Sequence, residues 1–135
     1  MNKANELGGR IRVAHGTFEA SSLSAGDVIE MFILPDGARM LEGSLAHDAM
    51  GSGTTLAVGT AAHTNAAGSA VSASAAAFKA AAASTSAQKV DILATLALGS
   101  GTETDTDGNG VAVTVTLAGG AATGTIEVTI KYVVD

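Results

Sequence analysis

The C-terminal part of this chain leaves little choice of local structure. Val111, Val113, Val115 and Leu117 alternate with Ala112, Thr114 and Thr116, and beyond Gly119-Gly120 the same rhythm returns. There Ile126, Val128, Ile130, Tyr132 and Val134 alternate with Thr125, Glu127, Thr129 and Lys131. A period of two puts each set on one side of an extended chain, apolar groups toward a core and threonines and charges toward water. The spacing predicts two strands joined through Ala118 to Gly124 as an antiparallel hairpin with an irregular tip.

A second constrained stretch is GDVIEMFILPDGARMLEGSL, residues 26–45. Val28, Glu30, Phe32 and Leu34 fall on one side of a strand and Ile29, Met31 and Ile33 on the other, so both faces are largely apolar and the strand is expected between two layers. Phe32 is then a core residue, and Phe32→Ala is expected to cost about 3–5 kcal/mol. Pro35-Asp36-Gly37 stops the strand, because proline fixes φ and lacks a donor while glycine tolerates φ > 0. The run Ala38 to Leu45 follows, and the two runs are expected to pair as the central hairpin of a sandwich.

The remaining elements are less regular. Residues 1–10 form a polar arm with a Gly8-Gly9 joint, and residues 11–135 form a single β-sandwich domain. Ile11 to Phe18 alternates as a first strand, and Glu19 to Gly26 is a connection rich in serine, alanine and glycine. Thr54 to Thr60 is a short strand with Leu56 and Val58 inward, and Lys89 to Leu98 is a further strand. Between them, 14 of the 27 residues from Ala61 to Ala87 are alanine, which favours one short helix over Ala73 to Ala83 against a small-residue loop with a brief strand. Gly99 to Gly110 is a polar connection. The fold class is therefore mainly β, an antiparallel β-sandwich of about seven strands, jelly-roll-like, with at most one short helix in the alanine-rich middle.

Composition narrows the chemistry. The formal charge is −6, from 13 acidic and 7 basic residues, and the basic residues are scattered, so no stripe is offered to nucleic acid. Three phenylalanines and one tyrosine, with no tryptophan, leave few platforms for stacking bases or sugars. No cysteine is present, so no disulfide forms. The N-terminal residues carry no apolar export signal, and no window of about 18 residues is apolar enough to span a bilayer.

The sharpest motif is Asp105-Thr106-Asp107-Gly108-Asn109-Gly110. Asp105, Asp107 and Asn109 place oxygen ligands at alternate positions before a glycine, as the first half of a calcium loop does. The second half is missing, for Thr116 stands where a bidentate glutamate would close the shell. Asp, Asn and Gly serving a turn explain the same residues, so no metal and no cofactor are assigned. His15, His47 and His63 lie on separate elements without ligand spacing. Glu30, inside an apolar strand, is a buried base or the partner of Arg12 or Arg39. No nucleophile elbow, phosphate loop or carboxylate pair is visible, so catalytic residues are assigned to none and no enzyme is expected.

Residues 26–45 together with TGTIEVTIKYVVD resemble a family, the capsid cement or decoration proteins of tailed bacteriophages. The resemblance is carried by Gly26, Asp27, Val28, Leu34, Pro35, Gly37, Ala38, Arg39 and Gly43, and by Ile126, Tyr132 and Val133 at the closing strand. It implies a jelly-roll-like sandwich on the outer surface of a capsid, assembled in the host cytoplasm, that cements neighbouring major capsid protein subunits. It also implies self-association, a homodimer in preference to a homotrimer, and no nucleic-acid or membrane partner. Residues 1–10, the Glu19 to Gly26 connection and the alanine-rich segment are the candidate interfaces. The competing reading is a carbohydrate- or receptor-binding β-sandwich displayed on a virion or cell surface.

Overall fold

The computed structural model describes residues 10–134. Eight long strands make two layers. In chain order they are β1 (Arg12–Leu23), β2 (Val28–Leu34), β3 (Ala38–His47), β4 (Thr55–Thr60), β7 (Ser74–Ala83), β8 (Gln88–Ile92), β9 (Val111–Ala118) and β10 (Ala122–Val134). Two short strands, β5 (His63–Thr64) and β6 (Ala70–Val71), form a small hairpin of their own between β4 and β7. One four-stranded sheet has the order β1-β10-β3-β8 and the other β2-β9-β4-β7, with all neighbours antiparallel.

That order has a simple logic. Apart from β4 and β7, which pair within one sheet at the turning point of the chain, successive long strands lie in opposite sheets, yet β1 pairs with β10, β2 with β9, β3 with β8 and β4 with β7. The first half of the chain is thus laid antiparallel on the second as one long ribbon. The ribbon is then wound so that β10 also meets β3 and β9 also meets β4. This is a jelly-roll sandwich. The core lies between the layers, where Leu34, Leu45, Leu56, Val58, Val113, Val115, Ile126, Val128 and Ile130 are all sealed from water.

Both expected hairpins are corrected by this topology. Pro35-Asp36-Gly37 joins β2 of one sheet to β3 of the other, and Ala118 to Gly124 likewise carries the chain from β9 to β10 across the sandwich. Alternation assigns a face to each side chain but says nothing of which strand is the neighbour. Leu34 and Ala38, on either side of the first corner, both face the core because they look at it from opposite layers. Gly37 takes φ 71° at that corner, a left-handed conformation that glycine adopts without steric cost.

β2 is also not enclosed. It is the edge strand of its sheet, and a register shift between Glu30 and Phe32 splits its pattern. Ile29 and Leu34 are buried, Met31 and Phe32 are half-buried, and Val28 and Ile33 stand 57% and 64% exposed. An edge strand with a bulge shows the same apolar letters as a central one, so composition alone misplaced it.

Three further boundaries differ from expectation. β1 runs on through Leu23, past a register shift at Ala20/Leu23 where Ser22 has φ 53°, so the connection shrinks to a turn in which the Asp27 carboxylate accepts from Ser24 N at 2.9 Å. β8 stops at Ile92 because Leu93, at φ 57°, turns into the core and donates its N–H to Phe78 O at 3.0 Å. A single 3-10 turn at Leu96–Leu98 follows. The helix expected over Ala73 to Ala83 is instead the strand β7, anchored by buried Phe78 and paired with β4. Helix propensity is a weak prior, and pairing along a sheet edge overrides it here.

Gly59 on β4 marks where the ribbon doubles back most tightly, since a Cβ there would lie 1.9 Å from Ser74 O. Gly59→Ala is expected to cost about 3 kcal/mol by prising β7 from β4. Ile130→Ala is expected to cost about 2–5 kcal/mol, and Phe32→Ala less than about 3 kcal/mol because its ring is only half-buried. Urea unfolding at neutral pH checks all three, and a Phe32 loss equal to that of Ile130 would contradict the edge assignment.

Candidate interaction surfaces

The polar connection 99–110 is better ordered than its composition suggests, because it closes the corner between the sheets. Thr104 Oγ1 donates to Pro35 O at 2.7 Å and accepts from Ala38 N at 2.9 Å. Thr106, itself buried, donates to Asp36 Oδ1 through both its N–H and its hydroxyl at 2.9 Å, and its Oγ1 accepts from Gly108 N and Gly110 N at 3.3 Å. Two threonines therefore satisfy the backbone of a corner that strand pairing cannot reach. The bonds from Thr106, backbone first, hold the Asp36 carboxyl below its ordinary pKa.

The calcium candidates lie in the same connection but serve different partners. Asp105 Oδ1 accepts from Ala66 N at 3.0 Å, reaching over to the β5–β6 hairpin. Asp107 Oδ1 accepts from Asn109 N at 3.2 Å and from its side-chain amide at 3.0 Å. Among the described residues no group of three His, Cys, Asp or Glu side chains converges at metal-binding geometry. The histidines are likewise apart: His15 bonds Thr129 and Thr17 on an outer face, buried His47 donates from Nδ1 to Asp48 O, and His63 donates from Nδ1 to Ala61 O. Glu30 is exposed rather than buried, and Arg39 bonds Glu103 at 2.8 Å and Gly101 O at 2.9 Å in its place.

The two outer faces differ in kind. That of the β1-β10-β3-β8 sheet is polar, with rows such as His15, Thr129 and Ser44 and an ion pair between Lys131 and Glu42 at 2.8 Å. Lys131, first by its hydrogen bond and then by its charge, lowers the Glu42 pKa. The other sheet turns small residues outward, and Ala57, Gly59 and Thr114 are buried there beneath the segment that runs from Ala61 through β5 and β6 into β7. A mostly apolar hollow of about 160 Å³ remains beside that cover, with Val28 and Glu30 on its β2 side and Ala62 and Ala73 opposite. Thr116 Oγ1 is buried without a hydrogen-bond partner on this same strand face.

Among the large apolar side chains of the described residues, Leu96 is the most exposed at 83%. Its turn is nonetheless firmly built. Thr95 Oγ1 caps it by accepting from Leu98 N at 3.2 Å, Gly99 closes it in the left-handed conformation, and Gly99 sits against the Phe78 ring. The sequence reading carries the strand from Lys89 through Leu96 to Leu98, and the visible signal against that is the turn chemistry of Thr95 and Gly99 around Leu96. Of the expected interfaces, residues 1–9 of the arm lie outside the described residues, Glu19 to Leu23 is now strand, and the alanine-rich segment forms the cover and the edge strand β7.

No family model matches this sequence, and no curated protein matches it. Solved structures do share its fold. A chain in the capsid of Ralstonia phage GP4 superposes with a TM-score of 0.71 at 22% identity over 100% of this chain and 91% of that one. A chain in the capsid asymmetric unit of cyanophage Pam1 gives 0.67 at 22% identity over 95% and 87%. A third, from infectious bursal disease virus strain Gx, gives 0.51 at 13% identity and is matched over only 32% of its own length.

The corner clasp yields a pH prediction. The Asp36 pKa is depressed on folding, so its contribution is present above the unfolded value near 3.8 and is lost as pH falls through the folded value. Thr106→Val removes the hydroxyl bond and is expected to flatten the acid loss of stability below pH 4, in urea unfolding compared between acid and neutral pH. An unchanged acid slope would show that Asp36 is not held by this bond.

Proposed function

We propose that this chain is a virion structural protein of a tailed phage that decorates the outer surface of the capsid and cements neighbouring major capsid protein subunits. The observation that carries this reading is reciprocal: nearly the whole chain superposes on nearly the whole of two chains from phage capsids, so the likeness is to a complete unit of comparable size. The resemblance of residues 26–45 and 123–135 to cement proteins points the same way, on independent grounds. The role is structural and needs no catalytic group.

Physically, a cement protein works through many repeated contacts on a symmetric lattice, each weak and all additive in avidity. A rigid sandwich with bonded corners suits this, because little conformational entropy is lost on docking. Purified protein mixed with mature shells that lack it is expected to pellet at a fixed ratio to the major capsid protein and to raise the temperature at which the shells break open. Protein that stays in the supernatant, or that binds without raising that temperature, would refute cementing.

A further inference from the structure

We infer that Asn109 is a modification site, an asparagine that deamidates through Gly110, and that the buried Thr106 hydroxyl holds this reaction in check. Asparagine before glycine is the dipeptide most open to such cyclisation, because glycine has no side chain to shield its backbone nitrogen or restrict its approach. Of the four asparagines in the chain only Asn109 is followed by glycine, and Asn109 is exposed. The 105–110 run, which brings no metal shell together, thus carries a different chemistry.

The reaction needs nothing but water. Gly110 N attacks Asn109 Cγ, the N–Cγ bond forms, the Cγ–Nδ2 bond breaks, and the proton from Gly110 N leaves with the amide nitrogen as ammonia. Water then opens the cyclic imide at either carbonyl, its hydroxyl going to carbon and its proton to nitrogen, which yields aspartate or isoaspartate. Either product carries a new negative charge in the run that already holds Asp105 and Asp107. Isoaspartate also adds a carbon to the main chain immediately before Gly110, whose left-handed backbone, at φ 79°, packs against Leu34 O.

The fold restrains both reacting groups. Gly110 N donates to Thr106 Oγ1 at 3.3 Å, and Asn109 Nδ2 donates to Asp107 Oδ1 at 3.0 Å. The Thr106 hydroxyl, only 1% of whose residue is exposed, also accepts from Gly108 N at 3.3 Å and donates to Asp36 Oδ1 at 2.9 Å. Asp36-Gly37, Asp107-Gly108 and Asn109-Gly110 are the three places where an aspartate or asparagine precedes glycine. Thr106 holds a reacting group at each of them, the carboxylate at the first and the glycine N–H at the other two. The clasp that closes the corner is therefore also a chemical guard. None of this depends on capsid binding, and it is tested on free protein so that either idea can fail alone.

The test is peptide mapping of the full chain held in mildly alkaline buffer, where modification shows as the mass gain of amide to acid and as paired aspartate and isoaspartate peptides. Folded wild type is expected to react at least about tenfold more slowly than wild type unfolded in guanidinium, because the guarding bonds must open first. Folded Thr106→Val is expected to react about fivefold faster than folded wild type, the scale of one lost hydrogen bond. Thr106→Ser keeps the hydroxyl and is expected to keep the wild-type rate. Ile130→Ala weakens the core without removing any of these bonds and is expected to leave the folded rate unchanged, which separates a lost guard from lost stability. An Asn109 that stays unmodified in the unfolded chain, or that reacts equally fast folded and unfolded, would overturn the inference. So would a Thr106→Val rate matched by wild type, by Thr106→Ser or by Ile130→Ala.

Discussion

Two neighbouring strands at the end of the chain bind everything else together. β10 carries β1 on one side and β3 on the other, so that Val128 faces both Gly16 and Leu45. β9 does the same in the second sheet, with Val115 between Ile29 and Val58. Residues Val111 to Val134 thus supply a central strand to each layer, and the Ala118 to Gly124 corner keeps the two layers in step. Every other long strand is either an edge or depends on one of these two for its second neighbour. The pairings are distant in sequence, so loop closure precedes any reward from burial, and a fold of this contact order forms slowly.

This explains what was legible beforehand. The inward faces of β9 and β10, and Leu56 and Val58 of β4, were readable because a core facing one side of a strand imprints a strict period of two. Partners were not readable, because a corner between sheets and a tight hairpin use the same turn residues. Pro35-Asp36-Gly37 looks like a hairpin turn and acts as a corner. The bulged edge β2 wore the letters of a central strand, and the alanines of β7 wore those of a helix. Of the candidate surfaces, the alanine-rich cover was visible as a shift of composition, whereas Leu96 was masked by an alternation that Leu93 breaks through its backbone.

Small residues recur where the two layers or the ribbon's arms come closest. A Cβ at Gly16 would meet Met31 O at 2.6 Å, and one at Gly43 would meet Ile92 and Thr129 O at 2.8 Å. Gly59 under Ser74 is the extreme case. Gly16 thus lets β1 approach β2 of the opposite sheet, whereas Gly43 and Gly59 admit neighbours within their own sheets.

The two excursions from the ribbon depend on one another for the same reason. The 61–73 segment and the 99–110 connection each leave a strand with backbone groups that no ladder satisfies. Thr64 O accepts from Asp107 N at 2.9 Å, and Ala66 N donates to Asp105 Oδ1 at 3.0 Å. Through Thr104 and Thr106 the second excursion then holds the corner at Asp36. The β5–β6 hairpin and the junction of the sheets are thus joined by one run of hydrogen bonds through the 99–110 connection. In this arrangement the Asp105 carboxylate and the Asp107 N–H fasten one excursion to the other, while the Asp107 carboxylate holds its own turn through Asn109.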